Sequence, residues 1–150
     1  MQYDNEIKNQ IENGIMVRVG NFKELINDIN VSFLPHNGVF RPSNETTKCR
    51  IVNLSNLCDK SSPNNLSLNQ VSLPGPQVNN ELFVSLTLYR FNRYLMIYDL
   101  QKAFLQLCLR EEDTFRFLFL WYKDVTNNNK ELICLKQQRV PFGTRFPRFY

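Results

Sequence analysis

Residues 95–104 read Leu95-Met96-Ile97-Tyr98-Asp99-Leu100-Gln101-Lys102-Ala103-Phe104: a short apolar run that stops at an acid. The run is short enough for a buried strand, and Gln101 to Leu107 is expected to form a helix of one or two turns. An acid at the end of an apolar strand sits where a sheet opens to solvent, and the strand fixes the direction of its carboxylate. Metal-dependent phosphoryl transfer needs such groups, because two divalent ions must clamp the attacking oxygen, the transferred phosphate and the leaving group. Magnesium takes oxygen ligands, typically one or two protein carboxylates for each ion. The same position also suits an N-cap for the following helix, and the stretch alone leaves both readings open.

Outward from this stretch, strand-like and helix-like patterns follow one another. Towards the C-terminus, Phe115 to Tyr122 is apolar apart from Arg116 and suits a buried strand. Leu132 to Val140 returns as its hairpin partner across a tip at Asn127-Asn128-Asn129. Glu111-Glu112-Asp113 reads as a solvated turn. Towards the N-terminus, Asn80 is placed to cap a helix whose apolar positions Leu82, Phe83, Leu86 and Phe91 recur at helical spacing. A rigid turn at Leu73-Pro74-Gly75-Pro76 precedes it, and Asp59 to Asn65 is a loop by composition. Lys48 to Leu54 is rich in β-branched residues and predicts a strand. Val31 to Leu34 and Val39-Phe40 predict two more, with Pro35-His36-Asn37-Gly38 as the turn between them. Tyr3 to Asn13 predicts an amphipathic helix stopped by Gly14. Ile15 to Val19 reads as a strand and Phe22 to Ile29 as a helix capped by Asn21. The class is α+β.

Composition narrows the functions. At 43% hydrophobic and 13% aromatic the chain can bury a core and is no disordered tail. A net charge of +4 suits a polyanionic partner without requiring one. Residues 1–30 carry Asp4, Glu6, Glu12, Glu24 and Asp28 against Lys8, Arg18 and Lys23, whereas Lys136 to Tyr150 carries Lys136, Arg139, Arg145 and Arg148 and no acid. If nucleic acid binds, the second half is the better place for the contact. The four cysteines form no C-x-x-C pair and His36 is the only histidine, which argues against zinc. No apolar run is long enough for a membrane span, and the N-terminus has neither the basic start nor the apolar stretch of a signal peptide. Glycosylation sequons such as those beginning at Asn44, Asn53 and Asn65 are read as accidents of an Asn-rich sequence. The expected location is cytoplasmic or nuclear rather than secreted, with no membrane partner.

Tyr98-Asp99-Leu100-Gln101-Lys102-Ala103-Phe104 resembles the first catalytic motif of reverse transcriptases: an Asp, a turn, then a small residue and an aromatic. The likeness continues on both sides. Phe33-Leu34-Pro35-His36-Asn37-Gly38-Val39, Thr46-Thr47-Lys48-Cys49-Arg50-Ile51-Val52, Leu66-Ser67-Leu68-Asn69 and Leu73-Pro74-Gly75-Pro76 follow one another as in BEL/Pao retrotransposon polymerases. Phe119-Leu120-Trp121 and Val140-Pro141-Phe142-Gly143 extend it, so that the resemblance covers nearly the whole chain. It implies a right-hand polymerase fold, with about 1–94 as fingers and about 95–150 as the start of the palm.

The resemblance also implies roles for particular residues. Asp99 would be the catalytic acid and metal ligand, joined by the backbone carbonyl of Leu100. Arg50 would lie along the triphosphate of a deoxynucleotide, a task that suits a guanidinium fork, with Lys48 nearby. Gln101, Lys102 and Ala103 would form the turn beside the nucleotide, and Phe104 would exclude a ribose 2′-hydroxyl by filling its place. Phe142 and Gly143 would begin the second palm motif, where a glycine lets backbone approach closely. Magnesium or manganese is the implied cofactor of the intact parent, and an RNA or DNA primer–template with deoxynucleotides its substrate. His36 is read as structural.

Three departures from that pattern shape the expectation. The paired aspartates of the family's later hairpin have no counterpart after Gly143. The residues following Phe142-Gly143 contain no small residue before Pro147. Asn53-Leu54 stands where many relatives place an Asp. The chain is therefore expected to be an incomplete fingers-and-palm piece, inactive alone and binding metal weakly. The alternative is a non-catalytic remnant that uses Arg139, Arg145 and Arg148 with the neighbouring aromatic residues Phe142, Phe146, Phe149 and Tyr150 as a basic surface for single strands, or a decayed gene fragment in which those aromatics are orphaned core.

Overall fold

Tyr3, Ile7 and Ile11 recur every four residues along α1 (Gln2–Glu12), and Gly14 ends it in the left-handed conformation at φ 65°, where glycine pays no Cβ penalty. The computed structural model describes residues 2–20, 22–28, 30–43, 48–58, 65–73, 81–126 and 131–145. The elements that follow α1 are β1 (Met16–Val19), α2 (Phe22–Leu25), β2 (His36–Phe40), β3 (Cys49–Asn53), α3 (Leu68–Val71) and α4 (Leu82–Arg90). A 3-10 helix (Ala103–Gln106), α5 (Glu111–Thr114), β4 (Leu118–Tyr122) and β5 (Leu132–Gln137) complete the order. The chain is a small mixed α/β domain whose sheets are antiparallel.

One sheet has the order β1-β5-β4, and the other is the hairpin of β2 with β3. The β4–β5 pairing predicted from the two apolar runs is present, Leu120 facing Cys134. β1 pairs with β5, Met16 facing Gln137, so the sheet joins the two parts that the sequence divides near residue 94. As the middle strand, β5 is covered on both faces: Cys134, Leu135, Lys136 and Gln137 are all buried. Ile7, Met16, Ile51, Phe119 and Leu135 form the core, with Tyr3, Ile11, Ile15, Trp121 and Ile133 packed around it. α1 thus lies over the sheet and against β3.

The single histidine ties these pieces together. Tyr3 Oη–H donates to His36 Nδ1, while His36 Nε2–H donates to the Leu120 carbonyl at 3.2 Å. The carbonyl can only accept, which fixes the tautomer. Phe119 and Trp121 flank the imidazole at 4.5 and 5.6 Å. Burial lowers the His36 pKa from its usual value, opposed by the bond to Leu120. Burial, with the nearby Cys49, raises that of Tyr3. The structural reading of His36 agrees with this geometry.

Several sequence expectations need correction. Pro35-His36-Asn37-Gly38 is not a turn: His36 to Gly38 begin β2. Gly38 is small there because a Cβ would press on the Tyr3 ring, 2.7 Å away. Val31 to Leu34 is no strand of its own; Phe33 makes one isolated bridge to Leu118. The second helix stops at Leu25. Phe115 to Phe117 form a turn before β4, and Glu111 to Asp113 belong to α5. Glu111 Oε1 there accepts from the buried Lys136 Nζ at 2.7 Å, and the same ammonium lies 4.2 Å from the Phe115 ring centroid.

The largest correction concerns residues 82–107. Leu82, Phe83 and Leu86 lie in a helix, α4, with Phe91 as its C-cap, but none of the four is buried. Leu95 to Tyr98 is not a strand, and all four residues are exposed. Among the described residues no strand runs alongside them, and without a partner the backbone has no ladder to join. The helix expected over Gln101 to Leu107 contracts to the 3-10 turn. The caps and turns expected at Asn21, Pro74 to Pro76, Asn80 and Asn127 to Asn129 lie outside the described residues, as does nearly all of the Asp59–Asn65 loop. Among the described residues no helix is long and apolar enough to cross a membrane.

Candidate nucleotide cleft

A cleft of about 480 Å³ opens between α1, β3, the 99–105 turn and Phe142. Its walls hold Arg50, Asp99, Leu100, Gln101, Lys102, Ala103, Phe104 and Phe142. These are residues that the sequence singled out from three separate stretches. Phe104 meets Phe142 edge to face, ring centroids 5.9 Å apart and planes at 79°. The Arg50 guanidinium carbon lies 5.9 Å from the centroid of the same Phe142 ring, within cation–π range. Phe142 therefore stands between the aromatic and the basic side of the cleft.

Strand pairing brings Phe142 there. Asn53 N–H donates to the Phe142 carbonyl at 2.8 Å, and Val52 bridges Phe142 in parallel sense. Gly143 follows at φ 92°, and a Cβ on it would collide with the Asn53 carbonyl oxygen. The glycine is thus demanded by the close approach to the β3 backbone. It does not line the cleft.

On the opposite wall, Lys102 takes the left-handed conformation at φ 53°, uncommon for a residue with a Cβ. Its ammonium reaches Glu6 Oε1 of α1 at 3.3 Å, and Glu6 Oε1 also accepts from Gln10 Nε2 at 2.8 Å. The Lys102 carbonyl accepts from Leu105 N–H at 2.8 Å, closing the 3-10 turn. The 99–105 turn is therefore anchored to α1 through an ion pair, and the Lys102 side chain is turned to Glu6. Glu6 and the buried Gln10 are cleft residues that the sequence reading missed. Their signal was a polar pair four apart beside the apolar stripe of Ile7 and Ile11. Cys49 is a third, its thiol raised in pKa by burial and by Glu6.

Other candidates fall elsewhere. Asp99 lines the cleft, but no strand holds its carboxylate, contrary to the expectation. Lys48 is exposed and is not a wall residue. Arg139 belongs to a neighbouring cleft of about 360 Å³ that also includes Gln101 and Lys102. It donates from Nη1 to the Gln106 carbonyl at 3.3 Å and to Cys108 Sγ at 2.6 Å. Arg145 is exposed, and Arg148 lies outside the described residues, as do Phe146, Phe149 and Tyr150.

The donor set does not fit a pair of divalent ions. Two ions bridging a phosphate need several oxygen ligands held in common. Here Asp99 and the Leu100 carbonyl stand on one wall, and the carboxylate of Glu6 is engaged by Lys102 and Gln10. Among the described residues no three of His, Cys, Asp and Glu are grouped to hold a metal. Compared with known proteins, the chain matches no family model, and no curated protein matches it.

Proposed function

We propose that the chain is the fingers and first palm segment of a BEL/Pao-type reverse transcriptase, and that the cleft is its deoxynucleotide end. The observation that carries this reading is the convergence of Arg50, Asp99 to Phe104 and Phe142, which lie far apart in sequence, on one cleft. A guanidinium on one side suits phosphate. The Phe104 and Phe142 rings beside it suit a sugar and base. Magnesium or manganese enters only as the cofactor of the parent enzyme, supplying charge for in-line transfer of a nucleotide to a primer. With Glu6 tied to Lys102 and Gln10, Asp99 is the one cleft acid left for that chemistry, which needs more, and the chain by itself binds without catalysing.

Two assays on the purified chain test the proposal. In the first, a labelled deoxynucleoside triphosphate is titrated with magnesium present; weaker binding by Arg50→Ala and Phe142→Ala supports the cleft. Equal binding by all three proteins overturns it. In the second, primer extension is followed in magnesium and in manganese. Extension that disappears in Asp99→Asn contradicts the inactivity of the isolated chain while supporting the role of Asp99.

A further inference from the structure

Asn69 of α3 is buried, and its side chain makes three hydrogen bonds. Nδ2 donates to Asn56 Oδ1 at 2.7 Å and to the Gly143 carbonyl at 3.1 Å. Oδ1 accepts from Arg145 N–H at 2.6 Å. Its own backbone N–H donates to the Ser55 carbonyl at 3.0 Å. One amide thus joins the residues after β3 to a segment more than seventy residues further along. Leaving such a buried group unpaired would be costly.

The local structure aims this side chain. Gln70 Oε1 accepts from Ser67 N–H at 2.8 Å at the start of α3, and Ser72 Oγ returns to the Leu68 carbonyl at 2.7 Å at its end. Asn69 is therefore held on a short, internally tied turn. The 142–145 segment is held to the protein at two places: Asn53 N–H on the Phe142 carbonyl, and the Asn69 amide on Gly143 and Arg145. Between them lies Gly143, left-handed and without a side chain to lock it. Removing the Asn69 amide leaves only the first tie.

We propose that Asn69 is a positioning residue: it fixes the register of the 142–145 segment against β3 and so sets Phe142 against Arg50 and Phe104. In its consequence for nucleotide binding this rests on the cleft reading above. As a register device it rests only on the hydrogen bonds.

The experiment compares amide hydrogen exchange by NMR in the wild-type chain, Asn69→Ala and Asn69→Asp, followed by titration with magnesium deoxyadenosine triphosphate. Asn69→Ala should speed exchange of the Arg145 amide about tenfold or more, while β4 and β5 amides stay protected. Asn69→Asp keeps the acceptor but sets a carboxylate oxygen against Asn56 Oδ1 and the Gly143 carbonyl in place of the donor, so it should also speed Arg145 exchange, by less than Asn69→Ala. Equal Arg145 exchange in wild type and Asn69→Ala overturns the proposal. Should Asn69→Ala not fold, Asn69→Asp decides: Arg145 exchange in it equal to wild type, with β4 and β5 intact, also overturns the proposal. In the titration, weaker binding by Asn69→Ala and Asn69→Asp supports the consequence for the cleft, and equal binding by all three proteins overturns it. No binding by the wild type overturns the cleft reading and leaves the exchange result standing.

Discussion

The sheet and the 82–107 segment are built from the same kinds of residue and treat them in opposite ways. In β4 and β5, Phe119 is 1% exposed and Leu118 and Leu135 are fully buried. In the other region Phe91, Ile97 and Tyr98 are each at least 80% exposed. The difference does not lie in hydrophobicity. β4 and β5 find each other across a short connection, and β1 and α1 then close over the pair. Leu95 to Tyr98 has no neighbouring strand among the described residues, and α4, apolar around much of its circumference, packs none of its residues into the core. Apolar character states a need for cover, and backbone pairing decides where cover is found. Exposed apolar area of this extent is a liability for self-association.

The comparison breaks most sharply if side-chain truncation costs the same in both regions. Phe119→Ala should lose about 3–5 kcal/mol of unfolding free energy, whereas Phe91→Ala should stay within about 0.5 kcal/mol. Urea denaturation of both variants measures this, and equal costs would mean that the 82–107 segment is packed in solution. A second contrast sets two left-handed glycines against each other. Gly143→Ala combines an unfavourable φ with collision against the Asn53 carbonyl and should cost on the order of 3 kcal/mol. Gly14→Ala, with nothing within 4 Å of its added carbon, should cost roughly 1 kcal/mol. The same denaturation experiment ranks them.

The next effect sharpens the account of the sheet side. Because burial lowers the His36 pKa in the folded chain, the unfolded chain takes up the proton first as the pH falls below about 6.5. Stability should therefore fall with pH between that value and the lower folded value, and show no slope from this group above it. Each unit of separation is worth about 1.4 kcal/mol. His36→Gln should flatten that part of the profile, leaving the acid-side loss due to groups such as Asp4. Burial would raise the Asp4 carboxyl, but hydrogen bonds from Lys8 and Trp121 hold it below its usual range. The smallest effect belongs to the exposed side. Ile97→Ser should leave the denaturation midpoint almost unchanged, within about 0.5 kcal/mol. It should reduce concentration-dependent association in sedimentation velocity if this surface drives self-contact.

What could be read from the sequence follows the same division. α1, β1, β3, β4 and β5 were legible because each has a one-sided or two-sided apolar pattern that its packing then satisfies. β2 was missed at its start because Pro35-His36-Asn37-Gly38 has turn composition. Yet His36 is there to meet Tyr3 and Leu120, and Gly38 to admit the Tyr3 ring, reasons that exist only between elements. Leu95 to Tyr98 was read as a strand from its residues, although a strand also requires a neighbour. In the cleft, Arg50, Asp99 to Phe104 and Phe142 were found through motif likeness. Glu6 and Gln10 were not, because polar residues reveal their partners only after distant segments have met.

The strand order β1-β5-β4 has a consequence for how the molecule comes into being. Met16 must pair with Gln137, over a hundred residues later, so the sheet cannot be completed locally as the chain leaves the ribosome. Until β5 is available, α1 and β1 lack the surface that buries Ile7 and Met16. High contact order of this kind slows folding, because the entropy of closing a long loop is spent before the contacts reward it. The hairpins β2–β3 and β4–β5 are the pieces that can form early, and docking of the N-terminal strand onto β5 is the step expected to set the rate.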